Sequence, residues 1–163
     1  KTINMGTELF EWEEQKFDLP PLESHWLEDC YDEMELLGFP LDSPFKLIAE
    51  TPTSKLAASQ LIHLVGKRVA IYGYLVTYKA IRTKNHKNMA FGYFIDHEGE
   101  FFDTTHFPQN IEKYPFRGKG VYYIVGKVVE EYGFPSLEVF FMRKCELKPD
   151  PRVSGNVRTN ALN

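Results

Sequence analysis

Residues 66–107 read GKRVAIYGYLVTYKAIRTKNHKNMAFGYFIDHEGEFFDTTHF, a proline-free stretch rich in β-branched and aromatic residues. This composition favours β-strands, and we predict three of them, at 67–81, 88–96 and 101–107. Gly73 lies inside the first strand, where a glycine typically marks a bulge or a sharp bend. A long, bent strand that feeds a three-stranded meander is typical of the beginning of a small closed β-barrel.

The residues after 107 complete this barrel. We predict a helix at 108–114 and two further strands at 121–130 and 136–145. The predicted order is therefore β1-β2-β3-α-β4-β5. A helix between the third and fourth of five strands, together with a bent first strand, is the layout of the OB-fold. We predict a mainly β protein with short helices, in which residues 66–147 form a five-stranded OB-fold barrel.

A short helical segment is predicted before the barrel, over residues 24–65. Ser24 can cap a helix at 25–37, and Gly38 can end that helix in a left-handed conformation. Two shorter helices are expected at 44–49 and 56–64.

The two ends of the chain have a different character. Residues 1–23 indicate a flexible arm with a proline-containing linker, and residues 148–163 indicate a mobile tail. Because the first residue is a lysine, we expect a fragment of a longer protein.

Charge is distributed unevenly along the chain. Residues 1–50 contain 13 acidic against 3 basic residues, residues 51–163 contain 10 against 16, and the whole chain carries a net charge of −4. An acidic front part and a basic back part suggest a different partner for each.

No pattern in the sequence indicates catalysis or a metal site. The glycines lack the spacing of a phosphate-binding loop, and there is no catalytic triad or activated cysteine. Cys30 and Cys145 match no metal or redox spacing, as is typical of reduced thiols in the cytosol. The sequence contains no signal peptide and no apolar run long enough to span a membrane. We therefore expect a non-catalytic, cytoplasmic protein that uses no cofactor and no membrane.

An OB-fold binds ligands on the face of strands 2 and 3, between the β1–β2 and β4–β5 loops. Cations beside aromatic rings suit single-stranded nucleic acid, because cations contact phosphates and rings stack on bases. We predict nine binding residues at these places: Arg82, Lys84, His86 and Lys87 in the first loop, Phe91 and Tyr93 on strand 2, Phe102 on strand 3, and Tyr132 and Phe134 in the second loop.

Other aromatic residues suit the barrel interior. We expect the core to take Phe94, Phe101, Phe107, Phe140 and Phe141. For Tyr72, Tyr74 and Tyr78, packing and binding remain open alternatives. His106 is a lone histidine, for which a hydrogen-bonded structural role is expected.

Several segments resemble the alpha subunit of bacterial DNA polymerase III. Residues 33–45, EMELLGFPLDSPF, resemble its E-x-E-x-LG-x-x-L-x-x-HP segment, with Ser43 in place of the histidine. Thr83-Lys84, Met89-Ala90-Phe91 and residues 96–100 resemble its run through strands 1 to 3, and the VGKV of 125–128 resembles its strand 4. The resemblance covers about residues 6–151. It implies a region of a DNA-directed DNA polymerase, a nucleotidyltransferase, that lies outside the catalytic palm.

The resemblance also implies a role and partners. The OB domain of that family is expected to guide single-stranded template DNA during replication in the bacterial cytoplasm, together with other replicase subunits. The family carries a peptide that binds the sliding clamp just before the helix, and residues 6–10 match its place. Leu9 and Phe10 fit the apolar end of that peptide, whereas Gly6 stands where the family has glutamine.

Three hypotheses remain open at this point. The chain is a non-catalytic region of a replicative polymerase, a stand-alone OB module for single-stranded DNA or RNA, or an OB module that docks proteins. A single-strand binder with about three phosphate contacts loses affinity with salt at a log–log slope of roughly −2. A protein-docking module shows no binding of oligonucleotides.

Overall fold

The computed structural model describes residues 25–84 and 86–154 of the chain. Its α-helices are α1 (Trp26–Leu37), α2 (Pro108–Lys113) and α3 (Pro151–Ser154), and two 3₁₀ helices span Pro44–Lys46 and Ala58–Leu64. Its strands are β1 (Arg68–Arg82), β2 (Asn88–Ile95), β3 (Phe101–His106), β4 (Val121–Glu131) and β5 (Phe134–Lys144). Each predicted strand is therefore present, with ends that shift by at most two residues.

The five strands close into a barrel in the order β1-β2-β3-β5-β4. The long β1 serves two neighbours, because its first half pairs with β4 and its second half pairs with β2, with the exchange at Tyr74. A parallel pairing of β3 with β5 closes the barrel, and α2 lies between β3 and β4 in the chain. This is the OB-fold arrangement, and the predicted fold class is confirmed.

The irregularity of β1 lies beyond Gly73. The register with β2 shifts between Leu75 and Thr77, so the bulge is three residues downstream of the glycine. At Gly73 itself, a Cβ atom would lie 2.6 Å from Cζ of Phe102 and 2.9 Å from Cβ of Phe94. The glycine therefore makes room for an aromatic ring against the backbone, which is the other recurrent use of glycine in a strand.

Inward-facing residues of all five strands form the core. Fully buried members include Ile71, Phe94, Tyr122, Ile124 and Leu137. Burying each such side chain stabilises the fold by about 1.5–3 kcal/mol. The core also takes Leu61 from the second 3₁₀ helix, so this helix covers one opening of the barrel.

The loop between α2 and β4 covers another part of the barrel. The Phe116 ring stacks on Tyr78, with centroids 4.4 Å apart and an interplanar angle of 8°. Gly92 provides the space, because a Cβ atom there would lie 3.0 Å from Cζ of Phe116. Tyr122 fixes the loop, since its hydroxyl donates to Gly118 O at 2.6 Å and accepts from Arg117 N at 2.8 Å. Tyr78 therefore packs on the loop through one ring face while it stays 48% exposed, so packing and binding both remain open for this residue.

The helical segment packs at the side of the barrel. Helix α1 buries Leu27 and Cys30 against Leu47, and it ends at Gly38 in the predicted left-handed conformation, with φ 80°. The N-cap of α1 is His25, whose Nδ1 accepts from Leu27 N at 3.2 Å, and the expected cap Ser24 lies outside the described residues. The helix expected at 44–49 is only the short 3₁₀ helix Pro44–Lys46.

Part of the expected mobile tail is folded. The Tyr31 hydroxyl donates to Lys148 O at 2.5 Å, and Arg152 forms an ion pair with Asp32 at 2.6 Å. Residues 148–154 of the expected tail therefore contact α1. The arm at 1–23 with its clamp-binding candidates Leu9 and Phe10, and the remainder of the tail, lie outside the described residues. Among the helices described here, none combines the length and the apolar character that crossing a bilayer requires.

Candidate nucleic-acid interface

The outer face of the sheet carries rows of side chains that cross three strands. Phe91 on β2 pairs with Lys79 on β1 and with Thr105 on β3. The next row joins Thr77, Tyr93 and Asp103 in the same way. Phe91 is half-buried and Tyr93 is 40% exposed, so both rings present a surface to solvent. The two rings predicted on strand 2 therefore lie on the outer face of β2 between β1 and β3, as their alternation predicts.

The hairpin between β1 and β2 projects from one end of this face. Its ladder continues to the pair Arg82 and Asn88, beyond Ala90, the last β2 residue that pairs with β3. Thr83 shapes the connection, because its amide donates to Lys87 O at 2.8 Å and its hydroxyl oxygen accepts from Lys87 N at 3.2 Å. These bonds tie Thr83 to Lys87, and His86 lies in the left-handed region at φ 56°.

The hairpin and the adjacent strand bring cations together. The hairpin exposes three cations beside His86, and Lys79 on β1 adds an exposed cation on the face itself: Arg82, Lys84, Lys87 and Lys79. Among the described residues, no ion pair links any of these side chains to a carboxylate. Sequence reasoning missed Lys79, which shares the alternation of Thr77 and Ile81 on the strand and could have been found from the pairing register.

The opposite end of the face is aromatic and acidic. Tyr132 and Gly133 form a two-residue turn between β4 and β5 with φ values of 53° and 83°, as in a type I′ hairpin. Tyr132 is 100% exposed and Phe134 is 76% exposed, although Phe134 begins β5 and does not belong to the loop as expected. Four exposed carboxylates lie at the end of β4 beside this turn and in the segment between β2 and β3: Glu130, Glu131, Glu98 and Glu100. The exposed charge of the face is therefore positive at the β1–β2 hairpin and negative at this end.

The inward-facing and outward-facing positions along β3 are the reverse of those predicted. Phe102 was predicted to bind nucleic acid, but it is only 4% exposed and its ring packs on Phe94 at a centroid distance of 5.6 Å. Phe101 was expected in the core, but it is 66% exposed on the outer face. Both expectations are wrong, because Phe102 is the residue that pairs with the inward-facing Phe94.

The other aromatic residues that were expected in the core differ in how deeply they are buried. Phe94 is fully buried as predicted, whereas Phe107 and Phe140 are partly exposed and Phe141 is half-buried. Tyr72 is buried against Tyr123, with ring centroids 5.1 Å apart, so it too has a packing role.

His106 points into the barrel and away from the candidate site. Its Nε2 lies 2.9 Å from Oγ1 of Thr104, and that hydroxyl donates to Gly92 O at 3.1 Å. A hydroxyl has one hydrogen, so both bonds form when His106 Nε2–H donates to Thr104. Burial lowers the pKa of His106 from its ordinary 6.5 to about 4 and keeps the ring neutral. The expected hydrogen-bonded structural histidine is confirmed.

Asp96 holds the turn that aligns β2 with β3, a role that sequence reasoning missed. Its carboxylate accepts from Ala58 N at 2.7 Å, Glu98 N at 2.8 Å and Glu100 N at 2.9 Å. An aspartate at the first position of a turn is a recognised sequence signal for that turn, because its short side chain can accept hydrogen bonds from the backbone amides that follow it. Across residues 25–84 and 86–154, no group of three or more His, Cys, Asp or Glu side chains could hold a metal ion.

No protein-family model and no characterised protein sequence matches this chain. Among solved structures, the mitochondrial single-stranded DNA-binding protein Rim1 of S. cerevisiae is 14% identical, with a TM-score of 0.39, over 51% of this chain and 97% of that chain. The second OB-fold domain of replication protein A from Methanococcus maripaludis is 13% identical, with a TM-score of 0.39, over 61% of this chain and 98% of that chain. The strand order and pairing described above define the fold independently of these two likenesses.

Proposed function

We propose that this chain is an OB-fold module that binds single-stranded DNA across the outer face of β1, β2 and β3. The observation that carries the proposal is the position of Phe91 and Tyr93 beside a projecting hairpin of cations that have no carboxylate partner among the described residues. The strand's phosphates contact the cations, and its bases stack on the two rings.

The magnitudes favour a salt-dependent, sequence-tolerant interaction. Four permanent cations lie on the hairpin and the face: Lys79, Arg82, Lys84 and Lys87. If each contacts one phosphate, the log–log dependence of affinity on salt has a slope of about −2.8. Stacking of a base on an aromatic ring contributes about 1–3 kcal/mol. Cations and rings together give useful affinity without base-specific hydrogen bonds.

We propose further that the module belongs to a replicative DNA polymerase of the bacterial DNA polymerase III alpha type, where it guides single-stranded template. The support is the resemblance of residues 33–45 and 83–100 to that family. In this proposal the polymerase activity resides in the parent chain, the location is the bacterial cytoplasm, and the partners are the other replicase subunits. Leu9 and Phe10 are proposed to contact the sliding clamp.

A stacking variant tests the DNA-binding proposal. Fluorescence anisotropy of a labelled oligo-dT of about 16 nucleotides, near the upper end of OB site sizes, reports affinity. The double change Phe91→Ala and Tyr93→Ala is expected to lower affinity at least about tenfold while leaving the salt slope unchanged. The matched control is Phe39→Ala, a 45% exposed phenylalanine after α1 and outside the β1–β2–β3 face, which is expected to bind as the wild type does. Equal binding by the double variant and the wild type would refute the role of the two rings.

A second candidate function is docking of a protein, and the acidic aromatic end of the face favours it. Tyr132, Phe134 and Phe101 expose large rings beside carboxylates, which suits a basic and apolar peptide better than a phosphate chain. If the module only docks proteins, oligo-dT does not bind even at low salt. In that case Phe101→Ala and Phe134→Ala are the variants that weaken capture of a basic, apolar peptide.

A further inference from the structure

A second cluster of cations and rings lies away from the β2–β3 face, where α2 and its following loop meet the end of β5. Its six residues line a cavity of about 310 Å³ and are defined here as the α2–β5 surface: Lys113, Tyr114, Arg117, Phe141, Arg143 and Lys144. None of them was among the predicted binding residues.

The rings of this surface form a connected group that is flanked by cations. Tyr114 packs edge-on against Phe141 with centroids 4.9 Å apart, and Phe141 reaches Tyr123 at 6.3 Å. Lys113 Nζ lies 5.3 Å from the centre of the Tyr114 ring, and the Arg143 guanidinium lies 5.2 Å from the centre of the Tyr123 ring. The surface therefore combines flat apolar area with positive charge at both sides.

The positive charge is only partly compensated. Arg143 forms an ion pair with Glu50 at 2.6 Å. Lys144 Nζ donates to the backbone oxygen of Arg117 at 3.1 Å, and this bond leaves its charge uncompensated. Within the described residues, no ion pair joins Lys113, Arg117 or Lys144 to a carboxylate, although Glu112 is a neighbour of Lys113 in the chain. Three cations around one cavity attract an anionic ligand.

Helix α2 connects this surface to the candidate interface. The helix packs against both β2 and β5, and Asn110 Nδ2 donates to Val139 O at 2.9 Å. Helix α2 therefore joins the β2 side of the barrel to the α2–β5 surface, to which Lys113 at its C-terminal end belongs. An extended polyanion can follow this path with cations on both parts.

We propose that the α2–β5 surface is a second contact site for single-stranded nucleic acid, and that it binds the phosphates and bases of a strand that extends beyond the β2–β3 face. This inference rests on the proposed function, because it concerns the same ligand. A strand of about 30 nucleotides exceeds the site size of one OB-fold face and can engage both surfaces. Longer strands then bind more tightly through effective concentration.

The test compares two charge-reversal variants on a labelled dT of about 30 nucleotides. Lys113→Glu with Arg117→Glu removes two cations of the α2–β5 surface, and both side chains are exposed, so the fold is expected to persist. We expect about a tenfold loss of affinity and a salt slope that is smaller by about 1.4, as for two lost phosphate contacts. The matched control is Lys55→Glu with Lys67→Glu, two exposed lysines outside both surfaces, with an expected loss below about twofold.

Cross-linking gives a readout that does not depend on stability. Photo-activated 5-iododeoxyuridine in the same strand is expected to attach to peptides that contain Tyr114 or Phe141, as well as to the β2 peptide. Wild-type affinity and slope in the Lys113 and Arg117 variant, or adducts on β2 alone, would overturn the second site while leaving the proposed function in place. No binding of the strand by the wild type would overturn both.

Discussion

The neutral, buried His106 predicts a specific acid sensitivity of the fold. In the unfolded chain the imidazole has an ordinary pKa of 6.5, whereas burial lowers the folded-state pKa to about 4. The unfolded state therefore binds the proton more strongly, and stability falls as the pH drops below the unfolded value. From the two pKa values the loss is about 2 kcal/mol between roughly pH 7.5 and pH 5, and it levels off near 3 kcal/mol below about pH 4. Such a loss is a large part of the stability of an ordinary domain.

Chemical denaturation at several pH values measures this effect. The matched variant is His106→Gln, because a glutamine amide can still donate to Thr104 Oγ1 but does not titrate. The difference in free energy of unfolding between wild type and variant is expected to change by about 2 kcal/mol over this pH range. Subtraction cancels other groups, such as Glu50, whose pKa is lowered by its hydrogen bond to Arg143. Parallel pH curves for the two proteins would show that His106 is not buried in its neutral form.

Further predictions concern packing and thiol reactivity. Gly126→Ala is expected to destabilise the fold by about 1–3 kcal/mol in thermal unfolding, because a Cβ atom there would collide with the backbone oxygen of Glu138; an unchanged melting temperature would contradict this close approach of the two strands. Phe102→Ala is expected to lower the free energy of unfolding by about 3–5 kcal/mol, and the adjacent Phe101→Ala by less than about 1 kcal/mol. The reverse order in denaturant titrations would show that Phe101, and not Phe102, is the core residue. Cys145 is expected to resist an aromatic disulfide reagent at neutral pH until the protein unfolds, because burial and its hydrogen bond to Glu50 raise its pKa to about 12; reaction at the rate of a free thiol would refute this.

The barrel could be predicted from the sequence because its signals are local. Runs of β-branched and aromatic residues mark each strand, and Gly99 takes the positive φ of 88° that its turn requires. The helix between the third and fourth strands then leaves few alternatives to an OB-fold. Gly73 shows the limit of this reasoning, because the sequence cannot distinguish a bulge from the close approach of a ring.

The candidate site could be predicted only in part. Phe101 and Phe102 are two phenylalanines in a row, so residue type cannot show which one faces the core. The Asp96 turn sets the register of β2 and β3, and in this register Phe102 pairs with the inward-facing Phe94. Phe91 and Tyr93 follow directly from the alternation of β2, and the structure brings them beside the hairpin cations. The α2–β5 surface could not be foreseen, because barrel closure joins residues 113–117 with residues 141–144.

The most direct test of single-strand binding is a salt titration of dT affinity for the wild type and for Lys84→Glu with Lys87→Glu. The account predicts a log–log slope of about −2.8 for the wild type, and for the variant a slope smaller by about 1.4 together with much weaker binding at low salt. Equal affinity and equal slope for the two proteins, or no binding by the wild type at low salt, would contradict the assignment of the β1–β2 hairpin as the nucleic-acid contact.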